Sequence, residues 1–400
     1  MIDNSAGDYD VPTVYVRGDT VRVTARFKLW DLRPMYPDAT PRTPYIGGSG
    51  YAVSFPPTPA TIQGDTLSVT LTASAPLPNC VHMNGGIHWG LGWGDPPGQG
   101  NGNVQPAQQN IKGGGGLLYV TLGQPATDGP LYHTVVHVST AAAMWVDTPQ
   151  QVIDKTWEAF KTRKLTTASP AFDDLDKVLL PPELRRVAKP LHYYKEWNTL
   201  SATTKELLET GDGKCGAWGL FMADTLKVHG IAAKAVPVEP KPNPTTGLIE
   251  AFAIQRWDFQ GAGGSGNADY PYGNLRPADD NYMLKVDGVW QYKYDATDVP
   301  HATGKDPDPS TGRGQGNTIP KAIFIDHALV RIGDENKLYD PSYGTGPFVG
   351  TDFNSALNKW EDASVAGFHA PQLKNSSRTP GRWEHFFRKN VTGVLESKQG

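Results

Sequence analysis

Cysteine is nearly absent: Cys80 and Cys215 are the two in 400 residues. That excludes a disulfide-stapled scaffold and any zinc site built on several thiolates. Long apolar runs are missing as well. No window approaches the roughly 18–20 residues of a membrane-spanning helix, and the mean hydropathy is -0.44. Excess positive charge is also lacking. Lys plus Arg is 37 against 41 for Asp plus Glu, giving a net charge of -4. A nucleic-acid binder concentrates basic charge on one surface, so that class is set aside. The opening Met1-Ile2-Asp3-Asn4-Ser5 lacks the basic-then-apolar pattern of a signal peptide. No motif calls for a cofactor or a resident metal.

Glycine and proline are abundant, 44 and 34 residues, which implies many turns. With 11 tryptophans and only 20% charged residues, the composition is common among exported bacterial proteins. Residues 1–146 read as strands. Val21, Val23, Ala25, Phe27 and Leu29 alternate with polar residues, which places them on one buried face. Leu67, Val69 and Leu71 repeat the pattern, as do Leu118, Val120 and Leu122. Residues 132–138 form a further β-rich run. Strands without helices point to an antiparallel β-sandwich, a binding or accessory domain with a glycan or protein as its ligand. A long loop at about 90–116 interrupts it, with Trp89 and Trp93 at its start. These indoles either stack on a sugar or peptide or pack beneath the loop.

Composition changes near Val146. Asp147-Thr148-Pro149 is a helix start, with a capping residue before a first-turn proline. Val152, Ile153, Trp157 and Phe160 follow at helical spacing. More helices are expected at 170–180, 201–209, 353–360 and 383–387. Loops rich in glycine and proline are expected at 237–247, 261–277 and 300–320, and a hairpin at 282–294 around Asp287-Gly288. The run at Asp306 is a turn rather than a calcium loop, because Thr311 stands where glycine is needed and Asn317 where the bidentate Glu belongs. Asn375-Ser376-Ser377 and Asn390-Val391-Thr392 are glycosylation sequons, with meaning only in a eukaryotic secretory route. Residues 147–400 thus read as a second, α+β domain with inserted strands and loops.

Two segments carry chemistry. In Gly211-Asp212-Gly213-Lys214-Cys215, a turn leads into an apolar helix that starts at or beside Cys215 and stops at Gly230. Unpaired backbone N–H groups at a helix start favour a thiolate and can stabilise an oxyanion. The bland alternative is a buried structural cysteine. The second segment is a hairpin: a strand containing His327 to Ile332, the polar turn Gly333-Asp334-Glu335-Asn336, and a strand from Lys337. That turn pairs Ile332 with Lys337, so His327 faces Ser342. Asp340 is then diagonal to His327 on the same face, roughly 7–8 Å away at the backbone. A carboxylate there would fix the imidazole tautomer and present the other ring nitrogen to Cys215.

Three elements in this order resemble the transglutaminase-like superfamily of cysteine enzymes, which share a papain-like Cys-His-Asp core. They are Gly213-Lys214-Cys215-Gly216-Ala217-Trp218 opening a helix that ends at His229-Gly230-Ile231, then His327-Ala328-Leu329-Val330, then Tyr339-Asp340-Pro341-Ser342. The family usually has Asp-Pro-Thr in the last. The resemblance spans residues 150–345. It implies Cys215 as nucleophile, His327 as general base and acid, and Asp340 as orienting carboxylate. The family often adds an oxyanion donor upstream of the cysteine, for which Trp197 is a candidate. Trp218, about one turn past the cysteine, is either a second candidate or a core residue. His301, with Asp295 nearby, is a rival base in a proline-rich loop. The implied chemistry is thiolate attack on an amide, giving a thioester that water or an amine resolves. Hydrolysis of a peptide or isopeptide bond needs only water and is preferred. The alternatives are a cross-linking amine acyltransferase acting on protein glutamine and a non-catalytic binding protein with a degenerate enzyme domain.

Overall fold

The computed structural model describes residues 13–28, 43–50, 52–84, 87–94, 109–111, 118–126, 131–163, 165–166, 190–195, 199–243, 247–248, 251–254, 258–259, 264–265, 284–286, 289–291, 314–317, 323–334, 336–369, 386–388 and 395–397. Strands and helices are both present and largely segregated along the chain, an α+β arrangement.

Among the described residues, the first part holds the strands β1 (Thr13–Val16), β2 (Arg22–Lys28), β3 (Thr43–Ser49), β4 (Ser54–Pro59), β5 (Thr61–Gln63), β6 (Thr66–Thr72), β7 (His82–Asn84), β8 (His88–Gly94), β9 (Gln109–Ile111) and β10 (Leu118–Thr121). They form sheets in the orders β1-β10-β7, β2-β6-β5 and β4-β3-β8-β9. Alternation works as expected in β6, where Leu67, Val69 and Leu71 are buried while Thr70 and Thr72 are exposed. One pairing departs from the antiparallel expectation: β1 runs parallel to β10. The loop expected at 90–116 is also shorter, because β8 extends to Gly94 and β9 pairs back onto it. Its proline-glycine run and its four consecutive glycines lie outside the described residues. Trp89 is a core residue, stacked on Phe55 at 5.6 Å and edge-on to Phe27 at 5.8 Å. Trp93 packs half-buried against the same apolar cluster.

The run at 132–138 is not a strand. It opens α1 (His133–Ala142), followed by α2 (Pro149–Lys161), α3 (Thr204–Thr210) and α4 (Cys215–Lys227). Its β-branched residues misled the expectation, and tertiary burial overrode their propensity. Thr134 to His137, Ser139 and Thr140 are all buried. The hydroxyls of Ser139 and Thr140 donate to the carbonyls of Thr225 and Val136, which lets a polar helix sit inside the molecule. The expected helix start at 147–149 is observed, with Thr148 capping and Val152, Ile153, Trp157 and Phe160 buried.

Two short strands flank α3, β11 (His192–Tyr193) before it and β12 (Asp212–Gly213) after it, and beyond α4 come β13 (Ala233–Pro240), β14 (Ala251–Ile254), β15 (Ile323–Phe324), β16 (His327–Ile332), β17 (Lys337–Asp340), β18 (Thr345–Val349), then α5 (Phe353–Ser364), β19 (Val365–His369), β20 (Phe386–Arg388) and β21 (Leu395–Ser397). Their main sheet is β18-β17-β16-β13-β21, beside a second in the order β15-β14-β19-β20. The expected two-residue hairpin is present as Leu284–Val286 paired with Val289–Gln291. A helix was expected at 383–387, but 386–388 is the strand β20, paired with β19. The helix expected at 170–180, the turn at Asp306 and both sequons lie outside the described residues.

Helix α4 is the centre. Ala217, Trp218, Phe221, Met222, Ala223 and Leu226 are fully buried. Gly219 lets it lie close on the sheet, since a Cβ there would sit 3.2 Å from Ala235 Cβ and 3.5 Å from Ala328 Cβ. The apolar cluster around α4 also takes in Val81, Tyr119, Leu122, Val135, Val136 and Ala143, all N-terminal to residue 147. A second cluster lies among the first strands. β10 feeds both: Leu118 and Val120 point into the second cluster, Tyr119 into the first.

Candidate active site

Helix α3 begins with a capping box between Thr203 and Glu206 and ends at Gly211, whose φ of 79° turns the chain. Asp212 and Gly213 then pair in parallel with His192 and Tyr193. Lys214 N–H donates to the Ser201 carbonyl at 2.9 Å. These bonds set Cys215 as the first residue of α4, with Lys214 as its N-cap. The first intrahelical bond runs from Trp218 N–H to the Lys214 carbonyl. The N–H groups of Cys215, Gly216 and Ala217 therefore have no acceptor within their own helix. Cys215 itself is 8% exposed.

His327 opens β16, and Asp340 closes β17. The observed register pairs Val330 with Tyr339 and Arg331 with Leu338. That is the same alignment as Ile332 with Lys337, so the count from the four-residue turn holds. The diagonal pair meets: His327 Nε2 lies 3.0 Å from Asp340 Oδ2, with both side chains fully buried. Asp340 also accepts from Trp360 Nε1–H at 3.1 Å and, at Oδ1, from Tyr343 N–H at 3.4 Å. Burial works against a charged imidazole, but the charge and hydrogen bond of Asp340, then those of Cys215, push His327 up to about 10. Its other nitrogen, Nδ1, makes no aligned hydrogen bond. Cys215 is the second group, after Asp340, that favours the charged ring.

Aromatic rings wall the imidazole. Phe324 and Tyr343 are tilted against it at 5.2 and 5.8 Å. Trp360 stacks on it at 5.5 Å with 8° between the planes. Tyr193 packs edge-on to Tyr343 at 5.2 Å and to Tyr194 at 5.0 Å. Burial above all holds all three tyrosine hydroxyls firmly protonated.

A short segment within the expected loop at 300–320 braces both halves. Gln315 Nε2–H donates to the carbonyls of Phe160 and Pro341, each at 2.7 Å. Its backbone bonds Ser342 and Tyr193, and Asn317 Nδ2–H donates to the carbonyls of Tyr193 and Tyr194. Reading that stretch by composition as an insertion missed this. Trp360 was missed too. A helix was expected around it, but nothing in the sequence sets that residue apart from its neighbours.

Trp218 is fully buried, edge-on to Phe160 and Phe221, and its Nε1–H donates to the His192 carbonyl. That N–H is therefore engaged in the core. Trp197 and His301 lie outside the described residues.

No protein-family model matches the chain, and no curated protein matches it. Among solved structures, red sea bream transglutaminase is similar at a TM-score of 0.25 and 10% sequence identity. The alignment covers 82% of this chain and 49% of that one, so the chain spans about half the length of its neighbour. A likeness at that score carries no argument, and the site stands on its own geometry.

Proposed function

We propose that this protein is a cysteine-dependent acyl-transfer enzyme that hydrolyses peptide or isopeptide amide bonds. The observation that carries this reading is the buried His327–Asp340 pair at 3.0 Å, with Cys215, at a helix start, among the groups that act on the His327 ring. A structural histidine needs neither the carboxylate nor the thiol.

In this reading the Cys215 sulfur, as a thiolate, attacks the carbonyl carbon of a bound amide. The C–S bond forms, and the oxyanion is met by N–H groups of the first turn of α4. The C–N bond then breaks, and the His327 imidazolium gives its proton to the leaving amine. Water attacks the thioester, with His327 now taking a proton, and the C–S bond breaks to release acid and thiolate. Asp340 holds the tautomer throughout. The first strands are proposed as an antiparallel sandwich serving an accessory binding role. Side chains from β3, β4, β6, β8 and β10 sharing one apolar cluster support this.

A chloromethylketone or iodoacetamide probe tests the site. Labelling at Cys215 should fall at least about tenfold in His327→Ala. Equal labelling in that variant would sink the enzyme reading. With peptide substrates, release of free amine without uptake of a labelled amine is expected. Amine incorporation would instead establish the transferase.

A further inference from the structure

The Trp360 side chain, outside the Cys-His-Asp set, touches two of its members at once. Trp360 is fully buried on α5 and held edge-on by Phe252 at 6.2 Å. Its face lies on the His327 ring, 8° from parallel at 5.5 Å. Its Nε1–H meets Asp340 Oδ2 at 3.1 Å, the same oxygen that lies 3.0 Å from His327 Nε2.

We propose that Trp360 is a positioning residue that holds the His327 ring and the Asp340 carboxylate in register and favours their charged, paired state. This rests on the reading of Cys215, His327 and Asp340 as one site. The physical grounds are two. An indole face attracts a cation lying over it, so the stack favours imidazolium over neutral imidazole. A carboxylate oxygen shared by two N–H donors cannot rotate without losing both bonds, so the indole fixes the acceptor that fixes the ring. The titratable groups set against the ring are Asp340 from β17, Cys215 from α4 and Tyr343 from the turn after β17. Trp360 adds no charge. Its contribution is therefore separable from theirs by substitution.

The test follows the His327 ring nitrogens by NMR through a pH titration of the full chain, unaltered and as Trp360→Leu and Trp360→Phe. The leucine variant loses both face and N–H, and its imidazole midpoint should fall by about one pH unit or more. The phenylalanine variant keeps a face without an N–H and should fall between. Alkylation of Cys215 at pH 7 should drop about tenfold in the leucine variant and less in the other. Unmoved midpoints in both variants overturn the proposal, and so does a lowered melting temperature with an unmoved titration. If the leucine variant does not fold, the phenylalanine variant decides alone. The NMR comparison needs no catalysis. Labelling of Cys215 that ignores His327→Ala would overturn the enzyme reading and leave this result to stand or fall separately.

Discussion

Two regions of this molecule bury histidine, with opposite results. At the seam between the first strands and α4, burial pushes His133, His137 and His229 down to about 4, with neighbouring His133 also lowering His137. At the hairpin, burial is more complete still, yet His327 is pushed up to about 10. The seam histidines have neutral partners: Tyr119 Oη bonds His133 at 2.8 Å and His137 at 3.1 Å, and Leu122 N–H donates to His229 Nδ1 at 3.2 Å. His327 has a buried carboxylate. Burial sets the penalty for charge, and the partner decides whether the ring carries it. The seam therefore stores structure and the hairpin stores a charge pair.

The largest effect should come from acid. The seam histidines bind protons more weakly folded than unfolded, so the unfolded chain gains protons first as pH falls. Their contribution is whole above pH 6.5 and is lost down to about pH 4. Three such groups together cost at most about 4 kcal/mol per pH unit. His327 has the opposite sign. Its contribution is whole below pH 6.5 and fades as pH rises through about 10. Urea midpoints at pH 5, 6, 7, 9 and 10 should therefore drop at both ends, steeply on the acid side. A flat acid side would break the comparison.

Next comes Asp340→Ala, which should turn His327 into a seam-like histidine. Its imidazole should titrate below pH 6.5, and breaking the buried pair should cost about 3–5 kcal/mol. An imidazole still titrating near its original value in that variant would mean that Asp340 is not the cause. Smaller again is Tyr119→Phe, which removes the hydroxyl shared by His133 and His137. It should cost about 1–3 kcal/mol in chemical unfolding while leaving the alkylation rate of Cys215 unchanged. A changed rate would show that seam and site are coupled. Smallest is Thr203→Ala, which removes the cap of α3 and should cost about 1 kcal/mol, read from the urea midpoint.

The hairpin was legible because a four-residue turn fixes its register, and register fixes which side chains meet. Thr148-Pro149 and the glycine-flanked Cys215 were legible because caps and turns are local chemistry. The helix at His133–Ala142 was not. Its first half is rich in β-branched residues, and what overrode them was burial of Thr134 to His137, Ser139 and Thr140 with hydroxyls that find carbonyls. Gln315 was hidden in a stretch whose composition reads as loop, because its four partners are contributed by distant elements.

By itself, then, the sequence determined the elements whose causes lie within a few residues: the cysteine at a helix mouth, the strand pair carrying His327 and Asp340, and the alternation of β2 and β6. Only the tertiary structure decided that α1 is a helix, that β1 lies parallel to β10, that β10 serves two cores, and that Trp360 lies on the imidazole. Those outcomes depend on burial and on partners more than ten residues away, whose placement no local pattern records.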